Sequence, residues 1–178
     1  MLFIAIEVMS IALYVLCAVN RSNEASVESA FKYFILGAFS SAILLYGIAL
    51  IWGATGTTEL SGIAAWLGKG HTIMGSPMMA AGVAMLLVGL AFKVAAVPFH
   101  MWSPDVYQGA PTPISAFMAT GVKAASFAAI GRVLFSALVL GHSEWVDVMV
   151  WLAGLTIIVG NIAALVQDNL KRMLAYSS

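Results

Sequence analysis

The sequence predicts an all-α integral membrane protein with about five transmembrane helices, and three observations lead there. Of its 178 residues, 62% are hydrophobic and 9% charged, with eight basic and eight acidic side chains and no net charge. A soluble domain carries roughly a quarter charged residues, and so few charges cannot clothe a water-facing surface. Five apolar runs come close to or exceed the ~20 residues that cross a bilayer as a helix, and none has the polar face of a surface helix. Three ionisable residues lie inside these runs, where they are expensive and functional by default. The same composition excludes a nucleic-acid binder working through a basic surface and a disordered charged tail. Cys17 stands alone in an apolar run, which excludes a disulfide framework and any metal-ligand spacing.

The first span covers residues 1–19 and stops at the polar stretch Asn20-Arg21-Ser22-Asn23-Glu24. It lacks a basic leading region and carries Glu7 at its middle, so it is a span and not a signal peptide. The second covers 33–52 and ends at Gly53-Ala54-Thr55-Gly56. The connection 53–77 is long and glycine-rich, and its stretch from Glu59 to Leu67 predicts a short interfacial helix. The third span covers 78–99 and breaks at Pro98, which removes a backbone donor. Residues 100–113 hold three of the five prolines and predict an irregular connection. The fourth and fifth spans cover 114–140 and 145–166.

Basic residues in short loops orient the chain. Arg21, Lys32, Lys171 and Arg172 fall on one side and only Lys69 on the other. This places the 20–32 loop, the 100–113 loop and the C-terminus in the cytoplasm. Trp52, Trp102 and Trp145 fall at span ends, where indole rings prefer the headgroup region.

Among the charges inside the spans, Glu7, Lys93 and Lys123 stand out. Glu7 stands twelve residues before Val19, about 18 Å along a helix, and Lys123 nine residues past Ile114, about 14 Å. Both are therefore near the midplane, while Lys93 occupies the last turn before the break. An unpaired charge at that depth costs at least about 2.5 kcal/mol. Arg132 lies within reach of the outer interface and reads as a snorkelling side chain. A Glu–Lys pair at about 4 Å gains about 4 kcal/mol at an effective dielectric of about 20, while desolvating each ion costs several. The terms nearly cancel, so a small change in separation or hydration decides whether the lysine keeps its proton. Parting Glu7 from Lys93 would drive that proton toward Lys123. A broken helix beside ionisable groups is also how transporters build hydrated sites. His100, seven residues after Lys93, would share its face if the helix persisted and is a candidate carrier between Lys93 and the cytoplasm; an interfacial histidine satisfied by water is the alternative. His71 and His142 fall in outer loops and take no role.

The run Phe92-Lys93-Val94-Ala95-Ala96-Val97-Pro98-Phe99-His100-Met101-Trp102-Ser103-Pro104-Asp105-Val106-Tyr107-Gln108-Gly109-Ala110-Pro111-Thr112-Pro113 resembles the signature of a known family. It is similar to the proton-translocating subunit N family of bacterial NADH-quinone oxidoreductase, respiratory complex I, which is related to cation/proton antiporter subunits. The stretches from Lys32 to Ala42 and from Asp168 to Ser178 agree, so the resemblance covers essentially the whole chain. It implies an antiporter-like fold built from inverted five-helix repeats. It also implies that Glu7 pairs with Lys93 on a broken helix, that Lys123 lies on the central hydrophilic axis, and that His100 is a following relay histidine. Family members carry further spans, including a second broken helix with an exit lysine, so the chain is expected to be a fragment.

The resemblance thus implies an enzyme-complex subunit, a translocase coupling electron transfer from NADH to quinone to proton movement. Its partners would be the other membrane-arm subunits and the lipid bilayer of the bacterial cytoplasmic membrane, with no nucleic acid. NADH, FMN, iron–sulfur clusters and quinone would be bound elsewhere in the complex, because this chain has no glycine-rich dinucleotide motif and no cysteine set. A subunit of a multi-subunit cation/proton antiporter is the alternative. A purely structural spacer of the membrane arm is a third reading, under which Lys123→Leu would be harmless.

Overall fold

A computed structural model describes residues 1–178 as helices joined by short connections, with no strand. Helices lie at the five expected positions: α1 (Leu2–Cys17), α2 (Glu24–Thr55), α4 (Pro77–Lys93), the rod Thr112–Ala137, and α8 (His142–Leu165). Three of these stretches, α2, the rod and the one containing α8, are long and apolar enough to cross a membrane, and α1 and α4 are shorter apolar helices. The rod consists of α6 (Thr112–Phe117) and α7 (Lys123–Arg132), with π-helical turns at Met118–Val122 and Val133–Ala137. Three short helices complete the chain: α3 (Leu60–Gly68), α5 (Trp102–Gly109) and α9 (Leu170–Ser177).

Local chemistry sets several boundaries differently from the expectation. The segment 20–32 is mostly helix, because the Asn23 side chain accepts from the Ala25 N–H at 3.0 Å and caps α2 at Glu24. At 32 residues α2 runs about 48 Å, longer than the ~30 Å hydrocarbon core. Its far end is closed by Gly56 in the left-handed region at φ 74°. α3 lies where the short interfacial helix is expected. The connection 100–113 is not irregular: α5 occupies most of it, with Pro104 inside the first turn, where no donor is needed.

The third span is the main correction. It ends at Lys93, five residues before Pro98, and stays non-helical until Trp102. A Schellman motif stops it. The Ala95 N–H reaches the Phe92 carbonyl at 3.0 Å, and the Ala96 N–H reaches the Ala91 carbonyl at 2.9 Å. Ala95 takes the left-handed position at φ 56°, where glycine is usual. The Val97–Pro98 peptide bond is cis.

Without water between helices, packing depends on close backbone approach at small residues. α2 and α4 meet in this way. A Cβ on Gly47 would lie 2.7 Å from the Leu86 backbone nitrogen and 2.9 Å from the Gly82 carbonyl. Around that seam Leu44, Met79, Val83, Leu87 and Leu90 are buried with Leu134 and Leu138 from the fourth span. A second buried cluster joins α1, α2, α5 and the π-helical turn Met118–Val122 through Leu13, Tyr33, Trp102, Val106 and Met118.

The connections gather at two ends. The start of α2, α5 and the start of α9 meet at one, where Lys32, Asp105 and Arg172 are in contact. The 53–77 connection meets the start of α8 at the other, where the Met74 N–H donates to Glu144 at 2.7 Å. Two of the three tryptophans expected at the headgroups are instead internal. Trp102 and Trp145 are buried, and their indole N–H groups donate to the Phe92 and Leu138 carbonyls at 3.0 and 2.8 Å. Both add a second donor to a carbonyl at a helix end, where the Ala95 and Gly141 N–H groups already bond Phe92 and Leu138. Trp52 is exposed.

Candidate functional site

Glu7 and Lys93 meet between α1 and α4. The Lys93 ammonium lies 3.5 Å from a Glu7 carboxylate oxygen and donates to the Ser10 hydroxyl at 2.8 Å. Ser41 of α2 donates to the same Glu7 oxygen at 2.6 Å. Ser10 in turn donates to the Ile6 carbonyl at 2.8 Å. The Lys93 side chain is 4% exposed and that of Glu7 22%. Lys93 is the final residue of α4, where a cation also offsets the negative end of the helix dipole. A buried lysine needs such a partner set, since an uncompensated charge there would cost several kcal/mol.

Lys123 has different partners. It is the first residue of α7, directly after the π-helical turn Met118–Val122, and is buried. π-turns recur at functional sites because they re-aim a side chain out of helical register. The Lys123 ammonium donates to the Ser178 hydroxyl at 2.7 Å and lies 5.9 Å from the centre of the Tyr107 ring. A cavity of about 320 Å³ adjoins it, walled by α4, the broken segment, α7, α8 and α9. The break residues Val94 to Val97 form part of that wall. The structure therefore brings Glu7 to Lys93 but leaves the two lysines with separate partners.

His100 is not on the Lys93 face, because no helix persists from residue 94 to 101. It lines the cavity beside Lys123, with its ring 6.1 Å from Tyr176 and its Nδ1 buried and unpaired within the protein. Ser103, also at the cavity, leaves its hydroxyl equally unpaired. Buried polar atoms of this kind are normally satisfied by water. Arg132 is exposed. His71 stacks on Trp66, and His142 meets Trp145 edge-to-face.

Several residues that shape the site carried no sequence signal as site residues. Trp102 holds the Phe92 carbonyl, next to Lys93, and stacks on Tyr33 at 4.7 Å. Thr156 of α8 accepts from the Val97 N–H at 3.0 Å, taking a donor freed by the break. Ser10 was the most legible, lying three residues from Glu7 on one face of α1.

Three of the basic residues expected only to orient the chain, Lys32, Lys171 and Arg172, form a network. Asp105 of α5 accepts from Lys32 at 3.0 Å and from Arg172 at 2.6 Å. Lys32 also pairs with Glu28 at 2.8 Å. Arg172 reaches Gln108 and Gln167 at 3.0 and 3.1 Å, and Lys171 reaches the Ala110 carbonyl at 2.8 Å. Partial burial acts to raise the Asp105 carboxyl, but hydrogen bonds and charge from Lys32 and Arg172 prevail and hold it below the usual carboxylate range.

Comparison with known proteins agrees with this architecture. A family model described as "NADH:quinone oxidoreductase/Mrp antiporter, TM" matches residues 1–178. NADH-quinone oxidoreductase subunit N of Gemmatimonas aurantiaca is 54% identical over 176 residues, 99% of this chain and 34% of that protein. Among solved structures, a chain of respiratory complex I from Thermus thermophilus with bound aureothin superimposes with a TM-score of 0.79 at 43% identity. That match covers 98% of this chain and 36% of the other. A chain of the Mrp complex from Dietzia sp. gives a TM-score of 0.85 at 27% identity, covering 98% and 32%. The chain spans about a third of the length of the curated relatives it matches.

Proposed function

The chain belongs to the NADH:quinone oxidoreductase/Mrp antiporter transmembrane family, and on that premise we propose that it is part of a proton-translocating membrane subunit of NADH-quinone oxidoreductase. Glu7, Lys93 and Lys123 carry the proton, and His100 hands it between Lys123 and the cytoplasmic side. The observation that carries this reading is the Glu7–Lys93 pair at 3.5 Å between two apolar helices, with Lys93 on the last turn before a break. While the pair is closed, Glu7 and Ser10 stabilise the ammonium. When it opens, Lys93 loses its only carboxylate partner in a nearly water-free setting and gives up its proton. Lys123 is the acceptor, across the wall formed by the broken segment.

His100 is thereby moved from the Lys93 branch to the Lys123 branch, since it shares the cavity with Lys123. The excess of basic residues at the end formed by α2, α5 and α9 supports placing that end, with loops 20–32 and 100–113, in the cytoplasm of a bacterial cell. Electrons would travel through NADH, FMN, iron–sulfur clusters and quinone in other subunits, with which this subunit assembles in the membrane arm.

The test is Lys93→Ala in the full-length subunit within the assembled complex, with proton uptake measured in vesicles during NADH oxidation. Uptake should fall severalfold, and unchanged uptake by an intact complex would end the relay reading. The Mrp likeness favours a second reading, a cation/proton antiporter subunit. Sodium-dependent growth rescue with NADH-driven quinone reduction unaffected by deletion would select it.

A further inference from the structure

We propose that Asp105 is a positioning residue that ties the surroundings of Lys93 to those of Lys123. This rests on the relay reading above. Three residues before Asp105, Trp102 holds the Phe92 carbonyl at 3.0 Å, one residue from Lys93 in the chain. Two residues after it, Tyr107 presents its ring 5.9 Å from the Lys123 ammonium. One eight-residue helix therefore touches the ends of both branches.

α9 carries the other contact. Its Arg172 donates to Asp105 at 2.6 Å, and Ser178, just beyond its end, accepts from Lys123 at 2.7 Å. Lys32, from α2, holds the second Asp105 oxygen at 3.0 Å. One carboxylate thus fastens three elements, with both its oxygens in charge-assisted hydrogen bonds. An isolated exposed ion pair contributes little. This one differs because Gln108 and Gln167 reinforce Arg172, and Lys171 bonds the Ala110 carbonyl at the end of α5. While the latch is closed, α5 cannot shift without α9. A displacement that loosens Trp102 from the Phe92 carbonyl also changes the distances from Lys123 to Tyr107 and Ser178. Asp105 makes the two lysines respond together.

The experiment uses the full-length subunit in the assembled, reconstituted complex, with Asp105→Asn, Asp105→Glu and Lys93→Ala compared. Two quantities are read: amide hydrogen exchange in residues 102–109 and 170–177, and protons moved per NADH oxidised. Asp105→Asn should raise exchange in both segments together by about tenfold, as for loss of a local cooperative contact, and lower the proton ratio. Asp105→Glu should restore most of both. Exchange that rises in one segment only, or in neither, overturns the latch. Exchange that rises in both with an unchanged proton ratio overturns the positioning role. If Lys93→Ala itself leaves the ratio unchanged, the relay reading fails, and the exchange result still decides the latch independently.

Discussion

A structural ion pair and a proton-carrying one can be told apart at Glu7 and Lys93 by a double-substitution cycle. Their separation of 3.5 Å corresponds to about 5 kcal/mol of attraction at an effective dielectric of about 20. Glu7→Gln keeps the volume and an oxygen that accepts from Ser41 and Lys93, but leaves Lys93 with no counter-charge. A buried charge stripped of its partner costs about 3–5 kcal/mol. Lys93→Met should cost less, because Glu7 keeps Ser41 and is the more exposed member of the pair. Removing both charges is neutral or stabilising by about 1–4 kcal/mol in comparable buried pairs. Thermal dissociation of the purified complex gives the stability arm, and proton uptake by vesicles gives the functional arm. The double variant should regain thermal stability while remaining unable to pump. A double variant that regains both refutes the relay, and a harmless Glu7→Gln refutes the burial and pairing on which it rests.

The broken segment offers two further tests. Ala95→Gly relieves a side chain held at φ 56° and should raise the temperature of subunit unfolding by an amount equivalent to about 1 kcal/mol, read by scanning fluorimetry of the complex. Trp102→Phe keeps the stack on Tyr33 but removes one of the two donors to the Phe92 carbonyl, and Thr156→Val strands the Val97 N–H. The first should cost about 1 kcal/mol and the second about 1–3 kcal/mol in the same assay, and the pair together should leave α1 and α2 exchange-protected while residues 94–101 open.

What was legible in the sequence follows from what lipid forbids. A charge cannot stay unpartnered in an apolar run, so Glu7 and Lys93 announced one another without any geometry. That the apolar runs are helices followed from length and hydropathy, because each helix must satisfy its own backbone in lipid. What was not legible depends on contacts between distant residues. The Ser178 hydroxyl that meets Lys123 is 55 residues away, and nothing in either local pattern specifies it. Lys32 and Arg172 fit the loop-charge rule, which is indifferent to whether a basic residue also holds a carboxylate on another helix. Trp102 and Trp145 sit at span ends, as headgroup tryptophans do, but helix-end carbonyls inside the protein claimed their N–H groups first.

The position of the break carries the same lesson in more physical detail. Proline removes one donor, so Pro98 marks where a helix is impaired; a helix can nonetheless stop earlier wherever its last carbonyls find other partners. Here they do so five residues sooner. The Ala91 and Phe92 carbonyls are taken by the Ala96 and Ala95 N–H groups, and Phe92 gains the Trp102 indole as well. Glycine would adopt the left-handed turn without help, whereas alanine does so only against a cost of roughly 1–2 kcal/mol. That cost is offset by partners outside the turn: Trp102 from α5 and Thr156 from α8. The helix end beside Lys93 is therefore set by its neighbours as much as by its own residues. Any rearrangement that reaches α5 or α8 acts directly on the backbone next to Lys93, which a self-sufficient glycine turn would not permit.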